Sequence, residues 1–167
     1  MDRRTVDGIT VRPIGVVHSP HAQTEGTPMQ SVRAASSGGT IEVFPQFRDG
    51  LKDLEGFSHL LVLFFFHRAG RSALLVKPYL DDVYRGVFAT RAPTRPNPIG
   101  LSVVELRSVR RGTLHVKYLD MLDGTPVLDI KPYIPEVDAW QVASIGWLED
   151  KITEMHDSPD NRPLEDA

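Results

Sequence analysis

Six or seven short β-rich runs recur at regular spacing along this chain, accompanied by one weak helical segment. Short strands divided by Gly and Pro turns cannot form a helical bundle; they close into a barrel or stack as a sandwich. The runs cover residues 11–17, 40–44, 60–66, 86–90, 101–109, 113–119 and 127–131. Residues 60–66 are uniformly apolar and short, which reads as a buried central strand. Arg110-Arg111-Gly112 joins two runs as a hairpin, and Asp123-Gly124 is a second turn. Residues 46–55 carry a helical turn with Leu51 and Leu54 on one face, and 147–156 have helical spacing through Leu148, Ile152 and Met155. Nothing alternates as βαβ, and no GxGxxG follows a strand, so a dinucleotide-type Rossmann site has no support.

A chain of 167 residues fits one domain. The expected organisation is a β domain over 1–147 and a short helix with an acidic, disordered tail over 148–167. With no cysteine, a disulfide framework, a thiolate metal site and a Cys nucleophile are excluded. The polar start MDRRTVDG lacks a signal-peptide pattern and the longest apolar run, 59–66, is too short to span a bilayer, so a cytoplasmic, non-membrane protein is expected. The net charge of −3 argues against a generic nucleic-acid binder. The distribution is uneven, however. Residues 85–117 hold seven basic side chains and one acidic, Glu105, whereas 148–167 hold seven acidic and two basic. The first segment suits phosphate, or else is simply a solvated face beside an acidic tail.

Three stretches carry candidate chemistry. In residues 91–100, Pro93, Pro96 and Pro98 stiffen a loop from which Arg91, Arg95 and Asn97 project; such a loop suits an anion, or is a rigid turn whose arginines cap carbonyls. In residues 119–133, Asp120, Asp123 and Asp129 invite a metal reading, but no histidine is near and the spacing is not that of an EF-hand, so no metal is expected. Asp129 and Lys131 share a strand face and can pair with each other. In 64–68, His67 ends a buried strand where a barrel would open, and reads also as a core-edge histidine satisfied by backbone. Neither GxSxG nor HExxH is present, so hydrolase chemistry has no positive sign.

These stretches, with Ile14-Gly15-Val16-Val17-His18-Ser19-Pro20, 57–67, 86–91, 95–102 and 123–133, resemble the signature of the TsaA/TrmO family, in order and spacing, over residues 14 to 138. The resemblance implies a mainly β protein, a small TsaA-like β-barrel with short helices and long loops. It implies a methyltransferase that uses S-adenosyl-L-methionine, acts as a homodimer with the cofactor near the subunit interface, and methylates the exocyclic amine of threonylcarbamoyl-adenosine beside the tRNA anticodon. By motif matching, the cofactor contacts are Pro28, Met29, Gln30, His67, Arg68, Arg91, Leu101, Asp120, Met121, Leu122 and Asp123. Arg95 and Asn97 are expected on the substrate, while Asp129, Lys131 and Tyr133 are expected to align the acceptor. Bacterial members often carry a further C-terminal domain that helps hold tRNA; here tRNA binding is expected from the barrel alone. Two alternatives follow: a methyltransferase of a small molecule or another RNA, and a non-enzymatic S-adenosylmethionine sensor.

Overall fold

The computed structural model describes residues 9–22, 38–78 and 81–151. Six strands close into an antiparallel barrel: β1 (Gly15–His18), β2 (Gly38–Val43), β3 (His59–Phe65), β6 (Ile99–Arg110), β7 (Thr113–Lys117) and β8 (Pro126–Pro132). Their order around the barrel is β1-β2-β7-β6-β3-β8. A separate two-stranded sheet pairs β4 (Leu75–Val76) with β5 (Arg85–Gly86). Alternation drives closure: Val17, Ile41, Val43, Leu60, Val62, Phe64, Val104, Leu106, Leu114, Val116 and Val127 point inward and are buried. Each contributes roughly 1.5–3 kcal/mol on leaving water. Gly100 faces the ring of Phe64, which a Cβ there would overlap.

Antiparallel pairing sorts the connections into two ends. The segments after β1, β3 and β7 lie at one end, here the loop end, where Leu119 and Met121 are buried and plug the barrel. The other end holds the β6–β7 hairpin and the 3-10 turns at Pro45–Leu51 and Leu54–Gly56.

The uniformly apolar third run does not become a strand buried on both faces. Leu60, Val62 and Phe64 are buried, whereas Leu61 and Leu63 are half-exposed and Phe65 exposed. Outside the barrel, Leu61 opposes Val103, Leu63 opposes Leu101 and Phe65 opposes Ile99, so the outer face of β3 and β6 is an apolar band.

Four other expectations shift. The first strand starts at Gly15 rather than at 11, because Pro13 has no amide for the ladder. The helical turn at 46–55 divides into two 3-10 segments, broken at Asp53, whose φ is 66°. The run 86–90 is not a strand: Val87–Ala89 is a 3-10 turn with Val87 buried, held by the Thr90 amide and hydroxyl, both donating to the Val87 carbonyl. The segment at 147–156 shows a 3-10 turn at Gly146–Leu148, and its part beyond 151 lies outside the described residues. That turn is tethered: Trp147 Nε1 donates to the Ala89 carbonyl (2.8 Å), and the Arg85 guanidinium sits 5.5 Å from the indole centroid. Trp147→Ala is therefore expected to cost about 1–2 kcal/mol and to expose the segment after Pro135–Asp138 to protease, read by limited proteolysis.

Candidate active site

The loop end gathers polar groups from three connections. The Ser19 amide donates to Asp123 Oδ1 (3.1 Å) and its hydroxyl to the Met121 carbonyl (2.8 Å). The His21 amide donates to Ser19 Oγ (3.2 Å), and the Asp123 amide to the His21 carbonyl (2.8 Å). His18 lies between two carboxylates, Nε2 3.2 Å from Glu42 and Nδ1 3.9 Å from Asp123. Gly124, with φ of 76°, donates its amide to Val17 and lets the chain turn into β8.

The segment after β3 joins this network. Arg68 Nη1 donates to the Ala22 carbonyl (2.6 Å), and His67 Nδ1 is 3.4 Å from the Thr125 hydroxyl. Partial burial, reinforced by the Arg68 charge, lowers the His67 pKa below its ordinary 6.5. The neutral ring is therefore favoured in the fold. Below pH 6.5 the unfolded chain takes up a proton here that the folded chain resists. Stability is therefore lost as pH falls through that region and is untouched above it. His67→Gln is expected to flatten this slope slightly between about pH 5 and pH 7, read from denaturation midpoints.

Of the residues expected on the cofactor, His67, Arg68, Met121, Leu122 and Asp123 come together here, with Asp120 on the same segment. Leu122 forms the turn that receives the Thr125 amide. Leu101 is elsewhere, exposed on the outer face of β6. Pro28, Met29 and Gln30 lie outside the described residues. The proline loop reaches the loop end through the Phe66 amide, which donates to the Pro98 carbonyl (2.8 Å). Within it Arg95 is turned inward, bonding the Thr90 and Ala92 carbonyls, while Arg91 and Asn97 are exposed. Arg95 thus stiffens the loop, and Arg91 and Asn97 are the groups it presents.

The three residues expected to align the acceptor stand apart from this cluster. Asp129 and Lys131 pair with each other (2.6 Å) opposite Leu63 and Leu61. The Tyr133 amide donates to the His59 carbonyl at the start of β3, about 25 Å along the strand from His67. Ser19 and Thr125 lie inside the motif stretches and His21 directly follows one, yet nothing in the sequence gives these three a role at this end. His21 Nε2 is buried and has no hydrogen-bond partner among the described residues. An orphaned ring nitrogen, on a residue whose carbonyl receives the Asp123 amide and whose neighbour Ala22 receives Arg68, fits a ligand rich in donors and acceptors.

Comparison with known proteins gives this arrangement its class. The chain is similar to the crystal structure of TrmO from Pseudomonas aeruginosa, with a TM-score of 0.71 and 42% identity over 84% of this chain and 62% of that one. It is 46% identical to an S-adenosyl-L-methionine-binding protein of Archaeoglobus fulgidus, covering 77% of this chain and 91% of the relative. It is 39% identical to the human tRNA (adenine(37)-N6)-methyltransferase, covering 80% of this chain and 32% of that protein. The closed barrel is thus a barrel of the TrmO kind, and the chain spans about two thirds or less of the TrmO and tRNA-methyltransferase relatives it matches. The family model described as tRNA-methyltransferase O N-terminal domain matches residues 16–139, and the chain belongs to that family.

Proposed function

We propose that the loop end binds S-adenosyl-L-methionine and that the protein transfers its methyl group to the exocyclic amine of threonylcarbamoyl-adenosine beside the tRNA anticodon. The observation that carries this reading is the network joining Ser19, His21, Arg68 and Asp123, with an unsatisfied His21 nitrogen inside it, in a chain of this family. When bound, the cofactor supplies a methyl on a positive sulfur, an electrophile that needs no acid catalyst. The protein's task is then mostly alignment. Arg68, with one N–H on the Ala22 carbonyl, retains others for a carboxylate. Asp123, oriented by the Ser19 amide, suits an amine or a ribose hydroxyl. Arg91 and Asn97 present donors to the RNA from the proline loop.

Asp129, Lys131 and Tyr133 follow one another along β8 away from the loop end, from Asp129 opposite Leu63 to Tyr133 beside the start of β3. They act in this reading across a homodimer, in which the partner's loop end meets the outer face of β3, β6 and β8. The apolar band of Leu63, Leu101, Phe65 and Ile99 supports such an interface, since Leu101 is 56% and Phe65 37% exposed in the single chain. Leu101→Glu is expected to convert the dimer to monomer in sedimentation equilibrium. Asp129 is the acceptor of the proton that the amine loses. Asp129→Asn should lower turnover about a hundredfold with cofactor affinity preserved; full turnover with normal binding removes Asp129 from the proton path.

The activity is tested by supplying labelled S-adenosylmethionine and bulk tRNA to the pure protein. Label recovered in RNA supports the reading. Cofactor binding without any label in RNA rejects the tRNA acceptor and favours a small-molecule acceptor or a sensor.

A further inference from the structure

The seven basic residues of 85–117 do not form one surface. Arg85 is bound to Asp81 (2.6 Å), and this bond holds the Asp81 carboxyl below its ordinary pKa. Arg95 is spent on backbone carbonyls and Arg107 on Glu105 (2.9 Å). Arg110 and Arg111, at the tip of the β6–β7 hairpin, are exposed and make no ion pair among the described residues. They border an open concavity of about 480 Å³ lined by Arg48, Asp49, Leu51, Lys52, Val109 and Gly112. Arg48 and Lys52 are exposed there too; Arg48 uses its Nε on the Val43 carbonyl (3.1 Å). The nearby Glu55 carboxylate accepts the Val109 amide (3.0 Å) and keeps its charge, so Asp49, Asp53 and Glu55 stand near the four cations, and Arg110 and Arg111 project beyond them at the hairpin tip.

The hairpin turn gives a second, independent sign. Arg111 has φ of 52° and Gly112 of 86°, the paired left-handed turn that favours Asn, Asp or Gly at its first position. Arginine there is unfavourable for the turn itself. An arginine that brings the turn no folding benefit is compatible with a use outside the fold.

We propose that the hairpin end, through Arg48, Lys52, Arg110 and Arg111, is a second RNA-contacting surface that grips phosphates of a helical stem. The proposal rests on the RNA reading above and deepens it. Strand β6 carries the chain over 12 residues from the loop end to this hairpin, up to roughly 35 Å. A free nucleoside cannot reach both ends, whereas a structured RNA can. The contacts are to backbone, so they position the RNA and carry no base specificity.

The test is tRNA binding by the full chain over a salt series, for wild type, Arg110→Gln/Arg111→Asn and Lys52→Gln. The double variant is expected to bind about tenfold more weakly at low salt. Its slope of log K against log salt should fall by about two, and that of Lys52→Gln by about one. S-adenosylmethionine affinity should stay within about twofold, because the cofactor end is remote, and the thermal midpoint should not drop, because asparagine suits the turn. Salt-sensitive binding by wild type with unchanged slopes in the variants overturns this surface and leaves the tRNA reading standing. Absence of salt-sensitive binding by wild type overturns both.

Discussion

Asp123→Ala is expected to weaken S-adenosylmethionine binding by ten- to a hundredfold, the largest functional effect of any single change at the loop end. The side chain receives the Ser19 amide and faces His18 Nδ1, so it holds the segment after β1 against the segment before β8. Truncation leaves the Ser19 amide without its acceptor, loosens His21 and Ala22, and removes the carboxylate offered to the ligand. A hydrogen bond to a charged group contributes about 1.5–3 kcal/mol, and about 1.4 kcal/mol corresponds to a factor of ten. Asp123→Asn keeps an acceptor for Ser19 and should fall between alanine and wild type. Calorimetric titration reads all three. A folded Asp123→Ala protein that binds with wild-type affinity would place the cofactor elsewhere.

The largest effect on stability is expected at Leu60. It is wholly buried, and its strand β3 is hydrogen-bonded on both sides, with Val104 and Pro132 opposite it. Leu60→Ala removes three carbons from the barrel interior and leaves a cavity that the closed strands cannot collapse, at a cost of about 2–5 kcal/mol. At roughly 2–4 °C per kcal/mol for a chain of this size, the melting temperature should fall by about 5–15 °C. A loss under about 1 kcal/mol in denaturant titration would mean that the barrel interior is not packed as described.

Much of the fold was legible because its signals are local. The Arg111-Gly112 hairpin and the Asp123-Gly124 turn stand between period-two runs, and both appear where expected. The pairing of Asp129 with Lys131 followed from their shared strand face. Other features depend on contacts that composition does not encode. Val87-Phe88-Ala89 has strand propensity, yet burial of Val87 and the Thr90 hydroxyl bend it into a 3-10 turn. A uniformly apolar strand looks the same whether both faces are covered within the chain or one awaits a partner, and β3 has only its inner face buried. At the site, the motifs supplied Arg68 and Asp123 but not the roles of Ser19 and His21, which arise from hydrogen bonds between segments about 100 residues apart. Arg95 reads as available in the sequence and is internally bonded in the fold.

The proposed reaction is methyl transfer to one modified adenosine in tRNA. It is tested most directly by digesting tRNA to nucleosides after incubation with the protein and methyl-labelled S-adenosylmethionine, using tRNA with and without the threonylcarbamoyl group. Label is expected in the modified adenosine only, and only when the modification is present. Label absent from both RNAs, in a preparation that binds the cofactor, would contradict it.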